Sequence, residues 1–280
     1  MSYPTPGALL AKYGLRAKRS WGQNFLGDES ILDEIARLAV ALPGERVVEL
    51  GAGLGHLTAR LLARGADVIA VERDRDMAAV LRAELGPRIR LVEADAARLD
   101  YRQLAGGART AVVGNLPYHL TSPILFQILD QVDAVTRAVF LVQREVGERL
   151  AASPGTRQWG LLSVLLQQHA EVTVERRVPP GAFVPAPQVE SVVIRVAFGP
   201  PRAEVADAAR FRRLVKAGFA QRRKVLANAL ARVAPADRLS TALAAAGIDP
   251  RRRGETLTVA EWAELDRALE RAALPGPDQT

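Results

Sequence analysis

The chain has 280 residues, of which 49% are hydrophobic, which suits a globular protein with one large domain and a smaller one. It has no cysteine, which excludes disulfides and thiolate sites. It has only three histidines, which are dispersed, and no apolar run of signal-peptide or membrane-spanning length. We therefore expect a cytoplasmic protein without a metal site or membrane association, and its net charge of +7 favours an anionic partner.

The cations are concentrated in three short stretches of the chain. One stretch lies in the amino-terminal arm and two lie in the last third of the sequence. They are Lys12, Arg16, Lys18 and Arg19; Arg222, Arg223 and Lys224; and Arg251, Arg252 and Arg253. Any one of these stretches is most simply explained as part of the solvent-exposed surface, but together they indicate a polyanionic partner.

Apolar runs alternate with longer helical patterns from position 46 onward. Runs that predict strands occupy positions 46–51, 66–72, 88–94, 110–115 and 136–142. Strands that are apolar throughout and separated by helices are typical of a parallel sheet covered on both faces. The pattern therefore predicts an α/β, Rossmann-like sheet.

A glycine-rich turn follows the first of these strands in "VVELGAGLGHLT", positions 47–58. Gly51, Gly53 and Gly55 allow a tight turn and a close approach of the backbone to a ligand. The spacing lacks the third glycine with which dinucleotide-binding turns hold a pyrophosphate. The turn therefore favours S-adenosylmethionine over NAD as the cofactor.

Acidic residues follow the next two strands. Glu72 comes 21 residues after Gly51, where a carboxylate can accept both ribose hydroxyls. Asp95 follows the third strand, where it can accept from an adenine amino group. Either acid alone could be a helix cap or a solvated loop residue, but their order along one sheet edge predicts a nucleoside site.

The fourth strand ends in "NLPY", and each of these residues suits methyl transfer to an exocyclic amine. Such a nitrogen is planar and weakly nucleophilic because its lone pair is shared with the ring. The Asn115 side-chain carbonyl and the Leu116 backbone carbonyl could accept its two N–H bonds and direct the lone pair at a methyl group. Pro117 stiffens the turn, and Tyr118 offers a ring for stacking.

The remainder of the chain predicts two further features. Regular alternation over 171–178 and 189–198 predicts an antiparallel hairpin at the edge of the sheet, as in class I methyltransferases. The segment "GPPR" at 199–202 interrupts the chain, and only helical patterns follow it. We predict a methyltransferase domain with a basic amino-terminal arm over 1–200 and a small all-helical domain over 201–280.

Six motifs in this order resemble the KsgA-type small-subunit rRNA adenine dimethyltransferases. They are "QNFL" (23–26), "ELGAGLGHLT" (49–58), "VERD" (71–74), "NLPYHLTSPIL" (115–125), "FVPAPQVESVV" (183–193) and "QRRKVLANAL" (221–230). The resemblance spans nearly the whole chain and implies transfer of two methyl groups from S-adenosylmethionine to N6 of each of two adjacent adenosines. It implies that these lie in the hairpin loop near the 3′ end of 16S rRNA, within the assembling 30S subunit, and we expect the enzyme to act as a monomer.

The resemblance also implies roles for individual residues. Cofactor contacts are implied at Asn24, Leu26, Gly51, Gly53, Glu72, Asp95 and Asn115. Phe183 is implied as a second aromatic wall, clamping the target adenine opposite Tyr118, although a lone Phe before a proline turn could equally pack in the core. RNA contacts are implied at Lys18, Arg19, Arg222, Arg223 and Lys224, the last three on a helix of the small domain.

Three other functions share parts of this pattern. Enzymes that methylate 23S rRNA and confer macrolide resistance have a similar strand tip, but "SPI" and "FVPAPQVES" favour the small-subunit enzyme. DNA adenine methyltransferases usually have proline in place of Leu116. A catalytically silent RNA-binding assembly or transcription factor is disfavoured by Glu72, Asn115 and Tyr118.

Overall fold

A computed structural model describes residues 3–273 of the protein, except the side chain of Arg19. The chain divides into two compact units. The first comprises the chain up to Gly147 together with Glu171–Gly199, and the second comprises Glu148–Ala170 and the chain from Pro200 onward. No helix within residues 3–273 is both long and apolar enough to cross a membrane.

The strands of the described residues form two sheets. The strands are β1 (Phe25–Leu26), β2 (Arg46–Leu50), β3 (Asp67–Val71), β4 (Arg90–Val92), β5 (Thr110–Asn115), β6 (Val135–Gln143), β7 (Ala170–Val178), β8 (Phe183–Val184) and β9 (Ser191–Phe198). The larger sheet has the order β4-β3-β2-β5-β6-β9-β7. Neighbours from β4 to β6 run parallel, and β9 runs antiparallel to β6. The predicted fold class is thereby confirmed.

The central strands are buried along nearly their whole length. Four of the five residues of β2 and five of the six of β5 are buried, as the continuous apolar runs predicted. The helices up to this point of the chain are α1 (Pro6–Lys12), α2 (Glu29–Ala39), α3 (His56–Ala63), α4 (Arg75–Leu85), α5 (Tyr101–Leu104), α6 (Thr121–Leu129) and α7 (Arg144–Leu150), and α2, α3 and α4 pack on strands of the sheet. Because β2, β3 and β5 run parallel, their carboxyl ends meet at one edge of the sheet.

A second, two-stranded sheet was not predicted from the sequence. Phe25 pairs with Val184 and Leu26 with Phe183 in antiparallel β1 and β8. This pairing brings "QNFL" together with "FVPAP", two motifs that are far apart in the sequence.

The second unit is helical over its described residues. Its helices are α8 (Leu161–Gln167), α9 (Ala208–Ala220), α10 (Leu226–Ala229), α11 (Ala236–Ala245) and α12 (Val259–Arg271). The Trp262 ring is fully buried and packs so closely on Gly218 that a Cβ there would lie 2.3 Å from it. The Trp262 ring therefore leaves no room for a side chain at Gly218.

The domain limits differ from the prediction in one segment. Residues 148–170, which we assigned to the methyltransferase domain, belong to the second unit. Trp159 in this segment is fully buried, and its indole N–H donates to the Leu257 carbonyl at 3.0 Å. Gly155 N–H likewise donates to the Glu255 carbonyl at 2.7 Å, so the segment supplies part of the second unit's core.

Candidate active site

The glycine turn connects β2 to α3 and lies at the carboxyl edge of the sheet. Gly51 and Gly53 have φ angles of +66° and +55°, which other residues rarely adopt. A Cβ on Gly53 would also lie 3.2 Å from the Phe25 ring. Glycine is therefore required at Gly53 by both its backbone conformation and its close neighbour.

Glu72 is held directly behind this turn. Its Oε2 accepts from the Gly53 N–H at 2.8 Å, and its Oε1 accepts from the Asp74 N–H at 2.7 Å. The residue is 8% exposed, and burial raises its pKa despite these hydrogen bonds. The structure thus places a preorganised acceptor where the sequence predicted the ribose contact.

A second carboxyl group, that of Glu49, lies beside the turn and was not assigned a role from the sequence. It is 2% exposed, and burial raises its pKa to about 8, with the charge of Glu72 acting in the same direction. Its Oε2 has no hydrogen-bond partner among the described residues. An unpartnered buried carboxyl oxygen in the cavity lining suits a cationic ligand.

Asp95 lies at the next strand end, where the sequence predicted it. Its Oδ1 accepts from the Ala97 N–H at 3.0 Å, and its Oδ2 lies 3.6 Å from the Arg73 guanidinium. Arg73 also stands 5.3 Å from the centre of the Trp21 ring, which is 41% exposed. Trp21 was not predicted as a site residue, although an aromatic residue just before "QNFL" was an available signal.

The Asn115 amide has a defined orientation. Its Nδ2 donates to the Asn24 carbonyl at 2.8 Å. Because a backbone carbonyl can only accept, the amide nitrogen must face Asn24, which leaves Oδ1 on the other side as an acceptor. This is the orientation that binding an amine N–H requires.

The residues around Asn115 fix the turn. Leu116 N–H donates to the Leu141 carbonyl at 3.2 Å, and the Leu120 N–H donates to the Pro117 carbonyl at 2.8 Å. The Tyr118 hydroxyl and the buried Ser191 hydroxyl lie 3.0 Å apart. The Tyr118 ring is therefore tethered at its far end to the start of β9.

One cavity of about 350 Å³ connects these features. Ten of the predicted cofactor and target residues line it: Asn24, Leu26, Gly51, Gly53, Glu72, Asp95, Asn115, Leu116, Pro117 and Tyr118. Trp21, Glu49 and Arg73 line it as well. Its size lies in the range of small-molecule sites.

Phe183 is the exception among the predicted target contacts. It is 4% exposed and packs in the core with residues such as Leu26, Ile31 and Ile35, and it is not part of the cavity lining. In this arrangement the ring has almost no free face for a base. The structure therefore places Phe183 in the core, because its pairing with Leu26 turns the side chain inward.

Two of the predicted RNA contacts are engaged in ion pairs. The Lys18 ammonium lies 2.7 Å from both Asp74 and Asp76, and its contact with RNA stays a prediction. Arg222 pairs with Glu255 at 3.1 Å and donates to the Arg157 and Trp159 carbonyls. It therefore stabilises the second unit. The side chain of Arg19 lies outside the described residues.

Arg223 and Lys224 are exposed, but they do not lie on a helix as predicted. α9 ends at Ala220, and both residues lie in the turn before α10. The Leu226 N–H, at the start of α10, donates to the Arg252 carbonyl at 2.7 Å, a tertiary contact that the local helical pattern does not reveal. Neither cation has an ion-pair partner within residues 3–273, and the same holds for exposed Arg213 and Lys216 of α9.

Comparison with known proteins identifies relatives over nearly the whole chain. A family model described as "Ribosomal RNA adenine dimethylase" matches residues 14–270. A protein of Anaeromyxobacter dehalogenans named "Ribosomal RNA small subunit methyltransferase A" is 70% identical, covering 95% of this chain and 98% of its own. A protein of the same name from Myxococcus xanthus is 52% identical, covering 95% of each chain.

Solved structures show the same fold. The 23S rRNA methyltransferase ErmE is 28% identical with a TM-score of 0.70, covering 88% of this chain and all of its own. A dimethyladenosine transferase from Plasmodium falciparum has a TM-score of 0.76 at 21% identity, covering 89% of this chain and 98% of its own.

Proposed function

Since the chain belongs to the ribosomal RNA adenine dimethylase family, we propose that it dimethylates N6 of two adjacent adenosines in the hairpin loop near the 3′ end of 16S rRNA, during small-subunit assembly. The small-subunit methyltransferases at 70% and 52% identity support this choice of RNA. The observation that carries the chemistry is the Asn115 amide, whose nitrogen is fixed on Asn24 so that its oxygen can accept from an amine.

S-adenosylmethionine fits the cavity. Its nucleoside would be held by Glu72 and Asp95, and its methionine portion, which carries an ammonium group, would lie against the glycine turn and Glu49. When bound, it supplies a sulfonium methyl group, which the amine nitrogen accepts while the thioether leaves. The unpartnered oxygen of the buried Glu49 carboxyl supports a cationic ligand beside it.

The protein's own contribution is to position the amine. Asn115 Oδ1 and the Leu116 carbonyl would each accept one N–H of the adenine amine, which favours a tetrahedral nitrogen. Tyr118, held by Ser191, would stack on the base, a contact worth roughly 1–3 kcal/mol. Because the methylated nitrogen is cationic and loses its proton readily, no general base is required. Positioning then supplies most of the rate enhancement.

The target base must leave its stack to reach this turn. Cations without ion-pair partners would hold the RNA by its phosphates, and Arg223 and Lys224 are the predicted residues that are exposed and unpaired within residues 3–273.

Replacing both Arg223 and Lys224 by alanine is expected to weaken RNA binding and to reduce its log–log salt slope by up to about 2 units, since each contact contributes roughly 0.7–0.9. Filter binding at several salt concentrations measures the slope. Arg222→Ala is the matched contrast: it should lower the melting temperature with little change in slope, because Arg222 is engaged by Glu255. An unchanged slope in the double variant would place the phosphate contacts elsewhere.

Glu49 provides a pH signature for cofactor binding. With a pKa of about 8 it is largely protonated at neutral pH, and a cationic cofactor favours the ionised form. Binding should therefore release a proton, and affinity should rise with pH up to about 8 and then level off. Titration calorimetry in buffers of different ionisation enthalpy counts the protons.

Glu49→Gln is the control for this experiment, because it cannot ionise. Proton release should be smaller by close to one proton than in the wild type. Without ligand, the raised pKa should also make the wild type lose stability as pH rises from 4.5 to about 8, a loss that the variant should not show. Equal proton counts in the two proteins would contradict the role of Glu49.

The function is tested by supplying labelled cofactor with unmethylated small subunits, large subunits and duplex DNA. We expect label in the small-subunit RNA, as N6,N6-dimethyladenosine. Label mainly in large-subunit RNA would overturn the proposal in favour of an enzyme of the macrolide-resistance type. Label in duplex DNA would indicate a DNA adenine methyltransferase.

A further inference from the structure

Asp74 is a buried carboxylate that the proposed chemistry does not use. It is 2% exposed and is not part of the cavity lining. Its Oδ1 accepts from the Lys18 ammonium at 2.7 Å, and its Oδ2 accepts from the Gln23 amide at 2.7 Å. Although burial opposes ionisation, these hydrogen bonds hold the pKa of Asp74 below its usual range.

Both partners belong to one loop, residues 18–24, which we call the N-terminal loop. The loop is closed on itself, because the Lys18 backbone N–H donates to Gln23 Oε1 at 2.8 Å. Asp74 therefore binds a residue near each end of a closed loop, and it shares Lys18 with Asp76. Within residues 3–273 the described side-chain bonds between this loop and α4 or its cap all end on Asp74 or Asp76.

The N-terminal loop carries two groups to the cavity. Trp21 lies at the cavity with Lys18 and Arg73 each 5.3 Å from its ring centre. Asn24, next to Gln23, presents the carbonyl that accepts from Asn115 Nδ2 at 2.8 Å. The orientation of the Asn115 amide thus depends on where the loop holds the Asn24 carbonyl.

Asp74 also connects to the cofactor side of the cavity. Its backbone N–H donates to Glu72 Oε1, and the other Glu72 oxygen accepts from Gly53. A continuous series of hydrogen bonds therefore runs from Gly53 through Glu72 and Asp74 to Gln23. Asn24, the residue after Gln23, then accepts from Asn115 Nδ2 through its carbonyl.

We propose that Asp74 is a positioning residue for methyl transfer: by fastening Lys18 and Gln23 it holds the N-terminal loop so that Asn24 orients the Asn115 amide. The proposal rests on the proposed function, in which Asn115 Oδ1 accepts from the target amine. Asp74 touches neither cofactor nor target and acts only through the loop.

The hydrogen bond between the Asp74 carboxylate and the Gln23 amide can be removed by a substitution that hardly changes the shape of the side chain. Asp74→Asn has nearly the same shape and still caps α4, but its amide nitrogen would face the amide nitrogen of Gln23. Two donors cannot bond to each other, so this contact is lost. Adding Gln23→Glu restores a donor and an acceptor with the polarity reversed, and the total charge of the wild type is retained.

Quenching of tryptophan fluorescence measures the exposure of Trp21 in the N-terminal loop and does not depend on methyl transfer. The chain has three tryptophans, and Trp159 and Trp262 are fully buried, so acrylamide reaches mainly the 41% exposed Trp21. Asp74→Asn should increase acrylamide quenching in the cofactor-free protein, and the double variant should return it to the wild-type level. Asp28→Asn, at the exposed cap of α2, is the matched control and should not change it.

The transfer assay then tests positioning. At saturating RNA and cofactor, Asp74→Asn should lower kcat by about 10- to 100-fold while cofactor affinity changes less than about threefold. The double variant should recover most of the rate, and Asp28→Asn should keep it. Melting temperatures of all variants show whether folding is retained.

Unchanged quenching in Asp74→Asn would overturn the anchoring role, whatever the substrate of the enzyme proves to be. Increased quenching with full transfer activity would overturn the positioning role. A lowered rate that the double variant fails to recover, at wild-type melting temperature, would also contradict the proposal. Failure of the proposed function is distinct, since wild-type protein would then not label small-subunit RNA at all.

Discussion

Asn115→Ala is expected to lower the rate of methyl transfer by about 10²–10³-fold, the typical effect of removing one preorganised polar contact at a reaction centre. The variant loses the Oδ1 acceptor, and with it one of the two groups that would bind the amine. Cofactor affinity should stay within about an order of magnitude, because Glu72 and the glycine turn remain. Single-turnover kinetics and cofactor titration measure the two quantities separately.

Two further variants complete this experiment. Asn115→Asp keeps an acceptor but cannot donate to the Asn24 carbonyl, so its rate should be intermediate. Asn228→Ala changes an exposed asparagine of the second unit and should leave the rate at the wild-type level. Near-normal turnover by Asn115→Ala would refute the proposed role of the amide.

Gly114→Ala is expected to destabilise the first unit by about 3 kcal/mol, at the upper end of ordinary overpacking. A Cβ at this position would lie 2.6 Å from the Leu50 carbonyl oxygen and 3.0 Å from the Leu116 side chain. The nearest obstacle is the backbone of the adjoining strand β2, which cannot move aside cheaply. Relief would displace the turn at Asn115, so activity should fall along with stability.

Denaturant unfolding measures the loss of stability caused by Gly114→Ala. Gly199→Ala is the control, since nothing lies within 4 Å of a Cβ there and its backbone is unstrained. Equal unfolding free energies for the two variants would show that the close approach of β5 to Leu50 does not exist in solution.

The sequence was most informative where one local pattern decides the structure. Continuous apolar runs predicted the central strands, and closely spaced glycines predicted the turn before α3, where the structure shows positive φ angles. The order of Glu72, Asp95 and Asn115 along the chain predicted that they lie at one edge of the sheet, because the carboxyl ends of parallel strands lie at the same edge.

Predictions were poorest where a distant partner decides the outcome. The charge of Lys18 does not reveal its pairing with Asp74, 56 residues away, which leaves no local signal in the sequence. Phe183 lies in β8, which has only two residues and pairs with the equally short β1. Strands of this length are too short for an alternating pattern to show in the sequence which side chain is buried. The helical pattern past Ala220 likewise gave no sign of the Leu226 to Arg252 hydrogen bond that accompanies the turn.

Dimethylation of the 3′ hairpin loop can be tested directly by mass spectrometry. Unmethylated small subunits are incubated with the enzyme and S-adenosylmethionine, and nuclease fragments of their 16S rRNA are then weighed. We expect four added methyl groups on the fragment that contains the 3′ hairpin loop, two on each of two adjacent adenosines. An unmodified hairpin fragment, with methyl groups found elsewhere in 16S rRNA or only in 23S rRNA, would contradict it.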